Sequence, residues 1–429
     1  MIEVHRIQHA VGQGGFHSCM IRFAGSRFRY VYDCGSTNPA ARDRELDAFD
    51  ASFQDDEPLD LLLLSHLDDD HVNGVDRLLA RRDARVVVIP YLQPWERLAL
   101  IMEACERGTL TESHFDLIES PVRWFLRRGT NLVVVVLPTI GHEDGDPPRV
   151  RLDPPEGFHP WRPQEPKEMD RDVLKPVGWG PLSEQQRDDY PELKRLEQGL
   201  GVLQPGEPVW LCSDRSLLAV WMLIPFTHPE PERLKSFQSL IKRELRLPLP
   251  TGKDPERYVR RIRTILKDKQ RRAELARAYG VIRADRNLTS MSLYSGPAHG
   301  LMPVGDGTLM QRRLFRHHSL HHSRRSGWLG TGDAVLTRAN RARAFEHFFE
   351  PVLSEVGTFM LPHHGSSHNF AGYLLREHLN GVLWIAAYGK RNTYGHPDRS
   401  LIHALKRRGE VARVTQRSSS LLEERLRLR

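Results

Sequence analysis

With 429 residues, 39% of them hydrophobic and 27% charged, the chain has the composition of a soluble globular protein, and its length suits two or three average domains or one large α/β domain with insertions. No apolar run approaches the roughly 18–20 residues that cross a bilayer, so no membrane role is expected. The opening MIEVHRIQHAVGQGG has no signal-peptide pattern. Cys19, Cys34, Cys105 and Cys212 form no CxxC pair, which argues against a disulfide framework or a cysteine zinc site and makes the cytoplasm the expected compartment. The net charge of +7 is concentrated: residues 253–286 hold 12 Lys/Arg against 5 Asp/Glu. Such density can hold a polyanion, and a solvated helix face explains the same run.

Residues 2–7, 18–23 and 28–32 read as a β-meander, with Gly12-Gln13-Gly14-Gly15 in its first turn and Asp33-Cys34-Gly35 at its end. Residues 59–64 are apolar except Asp60, as in a short strand covered on both faces. Helical patterns follow at 75–82, 95–107 and 115–128, with strands at 85–90 and 131–137. Residues 142–208 contain 12 prolines and little periodicity, and read as a Pro-rich surface insertion that offers a place for a protein partner. Strand character returns at 208–224, and 233–286 is a basic helical segment. Strands at 287–294 and 327–332 flank a loop carrying His317, His318, His321 and His322. The order then runs helix (338–356), strand (358–362), helix (371–379), strand (381–388), helix (400–408) and strand (411–415), before a frayed basic tail at 425–429. The alternation predicts a single α/β domain over residues 1–429, with sheets inside and helices outside.

Chemistry concentrates in Ser65-His66-Leu67-Asp68-Asp69-Asp70-His71-Val72-Asn73-Gly74, directly after an apolar strand. Crowded carboxylates repel one another unless a cation neutralises them. Alternation lets His66, Asp68 and Asp70 converge while Leu67 and Asp69 point elsewhere; the competing reading is an exposed acidic loop. The segment resembles the HxHxDH motif of the metallo-β-lactamase superfamily, in the HxDxDH form of the nuclease-like domain of the competence protein ComEC. Further stretches resemble the family in order along the chain. They are Val11-Gly12-Gln13-Gly14 with Asp33-Cys34-Gly35, Asn287-Leu288-Thr289-Ser290 followed by Gly330-Thr331-Gly332-Asp333, Leu361-Pro362-His363-His364-Gly365-Ser366, and Asn392-Thr393-Tyr394-Gly395-His396-Pro397.

The resemblance implies a metallo-β-lactamase-like αββα sandwich holding two divalent metal ions. Carried over, His66 and Asp68 hold one ion, Asp70 and His71 the other, and Asp333 bridges them. The last histidine ligand is His363, His364 or His396, which the sequence does not separate. A histidine left off the metals contacts phosphate or protonates the leaving group, so His364 and His396 join Asp70, which orients the attacking water, as candidate catalytic residues. Ser366, Asn392 and Tyr394 are the candidate substrate contacts. Asp68 stands where the commoner pattern has histidine; the harder donor set admits manganese or magnesium beside zinc. The family's lone histidine between the first motif and the bridging aspartate has only His142 and His228 as candidates, each more readily an ordinary loop histidine. The implied activity is metal-dependent hydrolysis by a phosphodiesterase or nuclease acting on DNA or RNA. The alternatives are hydrolysis of a small ester, lactone or phosphate-containing substrate, and a partner-activated effector.

Overall fold

A computed structural model describes residues 1–53, 57–138, 149–160, 173–190, 193–196, 198–228, 264, 268, 290–298, 308–314, 317–323, 325–370 and 379–428. In chain order come β1 (Ile2–Gln8), β2 (Phe16–Phe23), β3 (Ser26–Cys34), α1 (Pro39–Asp50), β4 (Leu59–Leu63), α2 (Asp69–Val72), α3 (Val75–Leu79), β5 (Ala84–Pro90), α4 (Pro94–Arg107), α5 (Glu112–Glu119), α6 (Pro121–Leu126) and β6 (Leu132–Val136). Next are β7 (His159–Pro160), β8 (Leu174–Val177), α7 (Glu184–Asp189), β9 (Leu200–Leu203), β10 (Val209–Ser213), β11 (Leu218–Phe226), β12 (Ser292–Pro297), β13 (Thr308–Leu314), β14 (His317–Ser323) and β15 (Gly327–Gly330). The chain closes with α8 (Ala339–Leu353), β16 (Val356–Met360), β17 (Leu383–Ala387), α9 (Arg399–Lys406), β18 (Val411–Val414) and β19 (Leu422–Leu428).

Two mixed sheets result. The first runs β14-β13-β19-β1-β2-β3-β4-β5-β6-β9, and the second β18-β17-β16-β15-β12-β11-β10-β8, with β7 beside β11. In β4 and β6 the sequences LDLLL and LVVVV bury nearly every residue, because β4, β5 and β6 are parallel strands covered on both faces. One core lies between the sheets, built on Tyr30, Tyr32, Trp221, Trp328 and their neighbours. A second, with Phe49, Leu98, Phe115 and Phe125, lies between the first sheet and α1–α6. On the second sheet, Phe345, Phe348 and Phe349 of α8 close around Phe226, the nearest ring centroids being 4.5 Å apart. Each fully buried aromatic of this kind contributes about 1.5–3 kcal/mol. The layering is αββα, the metallo-β-lactamase-like arrangement.

The structure corrects several expectations. The basic tail is β19, paired with β1 (Ile2 opposite Leu428) and with β13. Its Leu-Arg alternation is a strand period that buries Leu422, Leu426 and Leu428 and turns Arg425 and Arg427 outward. The histidine-bearing stretch is a strand of the β13–β14 hairpin rather than a loop. The helix expected at 115–128 is two, because Pro121 has no N–H for a continuing helix and Ser120 leaves helical geometry before it. Within 142–208, β9 adds a parallel edge to β6 and β8 an antiparallel edge to β10, so residues 174–177 and 200–203 are strands of the two sheets. His142, the basic segment 233–286 apart from two positions, residues 287–289 and the helix expected at 371–379, except its last residue, lie outside the described residues.

The fold places four strand ends together. β3 and β4 are parallel neighbours in the first sheet, and β15 and β16 in the second. Asp33 near the end of β3 and the segments that leave β4, β15 and β16, carrying the 65–71 stretch, Asp333 and the 363–364 pair, meet at one rim between the sheets.

Candidate metal centre

Four imidazoles meet there in one orientation. His71 Nδ1 lies 2.9 Å from Asp33 Oδ2, a carboxylate that can only accept. Ser65 Oγ donates to the same oxygen at 2.6 Å, so His66 Nδ1, 2.7 Å from that hydroxyl, is the donor to it. His364 Nδ1 donates to the Ala387 carbonyl at 2.9 Å. His363 Nδ1 donates to Asn369 Oδ1, also at 2.9 Å, since the Asn369 amide nitrogen is spent on the Asp333 carbonyl. With every Nδ1 engaged as a donor, each Nε2 faces the cluster, the nitrogen a metal would take.

The Nε2 atoms face carboxylates at separations too long for ordinary hydrogen bonds and short enough for one cation to touch both. His66 Nε2 is 3.8 Å from Asp333 Oδ2 and 3.9 Å from Asp68 Oδ2. His71 Nε2 is 3.4 Å from Asp333 Oδ1, and His364 Nε2 is 3.8 Å from Asp70 Oδ2. His66 Nε2, Asp68 Oδ1, His71 Nε2 and His364 Nε2 are buried without a hydrogen-bond partner. Left so, each buried polar atom costs about 1–3 kcal/mol; divalent cations bound among them would relieve that cost. Two groups have ligand atoms close enough to share an ion: His66, His71 and Asp333, and Asp70, His71 and His364. His71 stands in both, and its ring centroid is 4.1 Å from that of His66.

The charges answer to one another. Burial opposes ionisation of Asp333, yet His363, His71 and His364 around it hold its carboxyl well below the usual range. Burial also disfavours a charged His71, and Asp33 and Asp333 outweigh it and raise its pKa well above 6.5. Burial and then the charge on His71 bring His66 down to about 4. Asp68 goes the other way: burial and the Glu103 carboxylate push it well above its ordinary value. A donor set so rich in carboxylate is what a hard divalent cation stabilises.

The backbone is shaped to deliver these side chains. Asp33, His363 and His364 occupy the left-handed region at φ 60°, 45° and 61°, rare for residues other than glycine and costing about 1–3 kcal/mol each. Gly15 lets the β1–β2 hairpin close on the cluster; a Cβ there would stand 2.6 Å from His71 Nδ1 and 2.8 Å from Asp33 Oδ2.

The structure thus brings His66, Asp68, Asp70, His71, Asp333 and His364 together. Of the three late histidines, His364 enters a ligand group, whereas His363 sits 3.7 Å from Asp333 Oδ2 and is partly exposed. His396 lies further out, its ring 5.2 Å from that of His363. Burial and then His363 bring its pKa down to about 4. Tyr394 is 59% exposed, its ring nearly parallel to that of His396. Asn392 is committed to the turn, bonding the Gly389 and His396 carbonyls and the His396 N–H. Ser366 is buried, its hydroxyl accepting from His368 N–H. His228 is buried beside Phe226 and joins neither group among the described residues. Sequence reasoning missed Asp33 as the orienting carboxylate, although its Asp-x-Gly setting was visible. It missed Asn369 too, and the ion-paired Glu103 and Arg107 that α4 brings beside Asp68, for which no motif exists.

The sandwich with a His/Asp cluster at its strand ends defines a metal-binding protein of metallo-β-lactamase-like fold. The family model described as the metallo-beta-lactamase superfamily matches residues 14–161, the stretch that supplies Asp33, His66, Asp68, Asp70 and His71. No curated protein gives a significant match to the chain. Fold, cluster and family match point to a metal-dependent hydrolase. No helix among the described residues is long and apolar enough to cross a membrane.

Proposed function

We propose that the chain is a phosphodiesterase that cleaves nucleic acid. The observation that carries this reading is the hard donor set, in which Asp68, Asp70 and Asp333 stand among the imidazoles. Divalent cations bound there supply Lewis-acid activation of water and of a phosphoryl oxygen. This chain's residues do the rest. Asp33 and Ser65 keep His71 and His66 in the required tautomer, and Asp70 is placed to orient the attacking water. His363 turns its Nε2 to Asp333, and His396 lines the outer side, where a ring N–H can donate to a phosphate oxygen. Tyr394, exposed and nearly parallel to His396, offers a face on which a base can stack, worth about 1–3 kcal/mol. The resemblance to the ComEC-type HxDxDH pattern and the positive charge at 253–286 favour a polymeric anion over a small ester or lactone.

The test is incubation of purified protein with single- and double-stranded DNA and RNA and with ester and lactone probes, in manganese, magnesium or zinc, beside an Asp70→Ala/His71→Ala variant. Metal-dependent cutting of a nucleic acid that the variant lacks supports the reading. Turnover of esters or lactones with every polymer left intact overturns it.

A further inference from the structure

A cavity of about 180 Å³ lies away from the metal centre, between the outward face of β1–β3 and helix α1. Ile7, Met20, Phe49 and Leu421 give it apolar walls, and Arg22 and Arg29 bring it charge. The placement of these cations is unusual. Arg22 stands directly opposite Arg27 in the β2–β3 ladder and Met20 opposite Arg29, so three guanidinium groups share one face. Like charges facing each other across strands are destabilising unless something answers them. Glu57 answers Arg27 at 3.4 Å and Arg29 at 3.6 Å. Arg22 has no acidic partner among the described residues, and the buried Arg29 keeps its Nε without a hydrogen-bond partner. The cavity's own acid, Glu45, is already paired with Arg44 at 3.0 Å and lies within hydrogen-bond reach of His9 at 3.3 Å. The Arg29 terminal nitrogens also bond Ser52, and the charge of Arg22 is left over.

We propose that this cavity is a second ligand site, taking a small organic anion whose carboxylate or phosphate head meets Arg22 and Arg29 while its apolar body lies on Ile7, Met20 and Phe49. Its volume falls below the roughly 300–1,000 Å³ of pockets for drug-sized molecules, so the ligand is smaller than those. A polar wall runs alongside: Ser18 Oγ is 2.8 Å from His9 Nε2, and His9 Nδ1 is 3.3 Å from Glu45 Oε2. The order of atoms is that of a nucleophilic triad. Ser18, however, sits mid-strand, paired with Ile7 on one side and Val31 on the other, where the ladders take the backbone N–H groups an oxyanion would need. The wall therefore serves binding.

Ligand-observed NMR and calorimetry on the full chain test this, with benzoate, benzylphosphonate and the neutral benzyl alcohol as probes. The expected result is binding of at least one of the two anions and no binding of the alcohol; which anion binds names the head group. Arg22→Glu weakens that binding about tenfold or more, and Ala48→Trp, which fills the cavity from an exposed helix position, abolishes it. An anion held only at the metal centre keeps its affinity in both variants. The proposal is overturned if neither anion binds, if the alcohol binds equally, or if binding survives both substitutions.

Discussion

Asp33 Oδ2 lies 2.9 Å from His71 Nδ1, and Ser65 Oγ, the hydroxyl that receives the His66 proton, donates to the same oxygen. One carboxylate thereby sets the tautomer of two candidate ligands. Asn tolerates the left-handed backbone of position 33, so Asp33→Asn removes the charge without the conformation. The expected outcome is a loss of metal affinity of about 10–100-fold, measured by competition with a chelating dye. Unchanged affinity would show that Asp33 only holds the turn.

Gly15 is required by close approach rather than by a positive φ, since any side chain there strikes His71 and Asp33. Gly15→Ala is expected to destabilise the fold by about 1–3 kcal/mol in denaturant titration and to weaken metal binding with it. Gly180→Ala, where nothing stands within 4 Å, is the matched control and is expected to be close to neutral. Equal effects at the two glycines would contradict the packing shown.

His17 is buried between the sheets, stacked on Trp328 at 4.0 Å, with neither ring nitrogen hydrogen-bonded. Burial and then Arg6 push its pKa well below 6.5. The unfolded chain therefore binds a proton that the folded chain refuses. The stability associated with neutral His17 is complete above about pH 6.5 and is lost as pH falls from there toward the depressed folded value. His17→Phe keeps the stack and removes the titration. Denaturant unfolding of the variant is expected to lose about 1 kcal/mol less than the parent between pH 7.5 and pH 5.5. Parallel losses in both proteins would place the acid sensitivity elsewhere.

The sequence made legible those parts of the molecule that depend on local pattern. The apolar run of β4 ending at Ser65 located the 65–71 cluster because strand period and burial act over a few residues. His66, Asp68, Asp70, His71 and Asp333 could be named because their motifs are short and ordered. Tertiary choices were not legible. Residues 425–428 looked like a charged tail because a lone strand of alternating Leu and Arg has no partner in the sequence, and β1 supplies it from the far end of the chain. Helix α1 was missed although Asn38 caps it by accepting from Ala41 N–H and Pro39 opens it. Its apolar face is narrow, and Glu45 is buried by pairing with His9 rather than by pattern. Glu103 reaches Asp68 only through the packing of α4, which no spacing announces.

Metal binding and folding are linked, because the orphaned Nε2 atoms of His66, His71 and His364 are stabilised only when the cation is present. Free manganese or zinc at about 100 times its Kd is expected to raise the unfolding free energy by about 2.7 kcal/mol. A chelator reverses the gain, and His364→Ala loses the share owed to the group with Asp70. Melting followed with and without chelator measures it. A chelator-insensitive transition in metal-loaded protein would sever the link.

The most direct measurement is metal content and affinity of the purified chain, by elemental analysis and calorimetry, beside Asp333→Ala. Because Asp333 faces His66, His71 and His363 at 3.4–3.8 Å, and the two ligand groups share the one free nitrogen of His71, the expected result is at least one divalent ion per chain and weakened binding in the folded variant. A folded parent that retains no divalent ion after exposure to zinc, manganese and magnesium, or a variant that binds as the parent does, would contradict the metal centre itself.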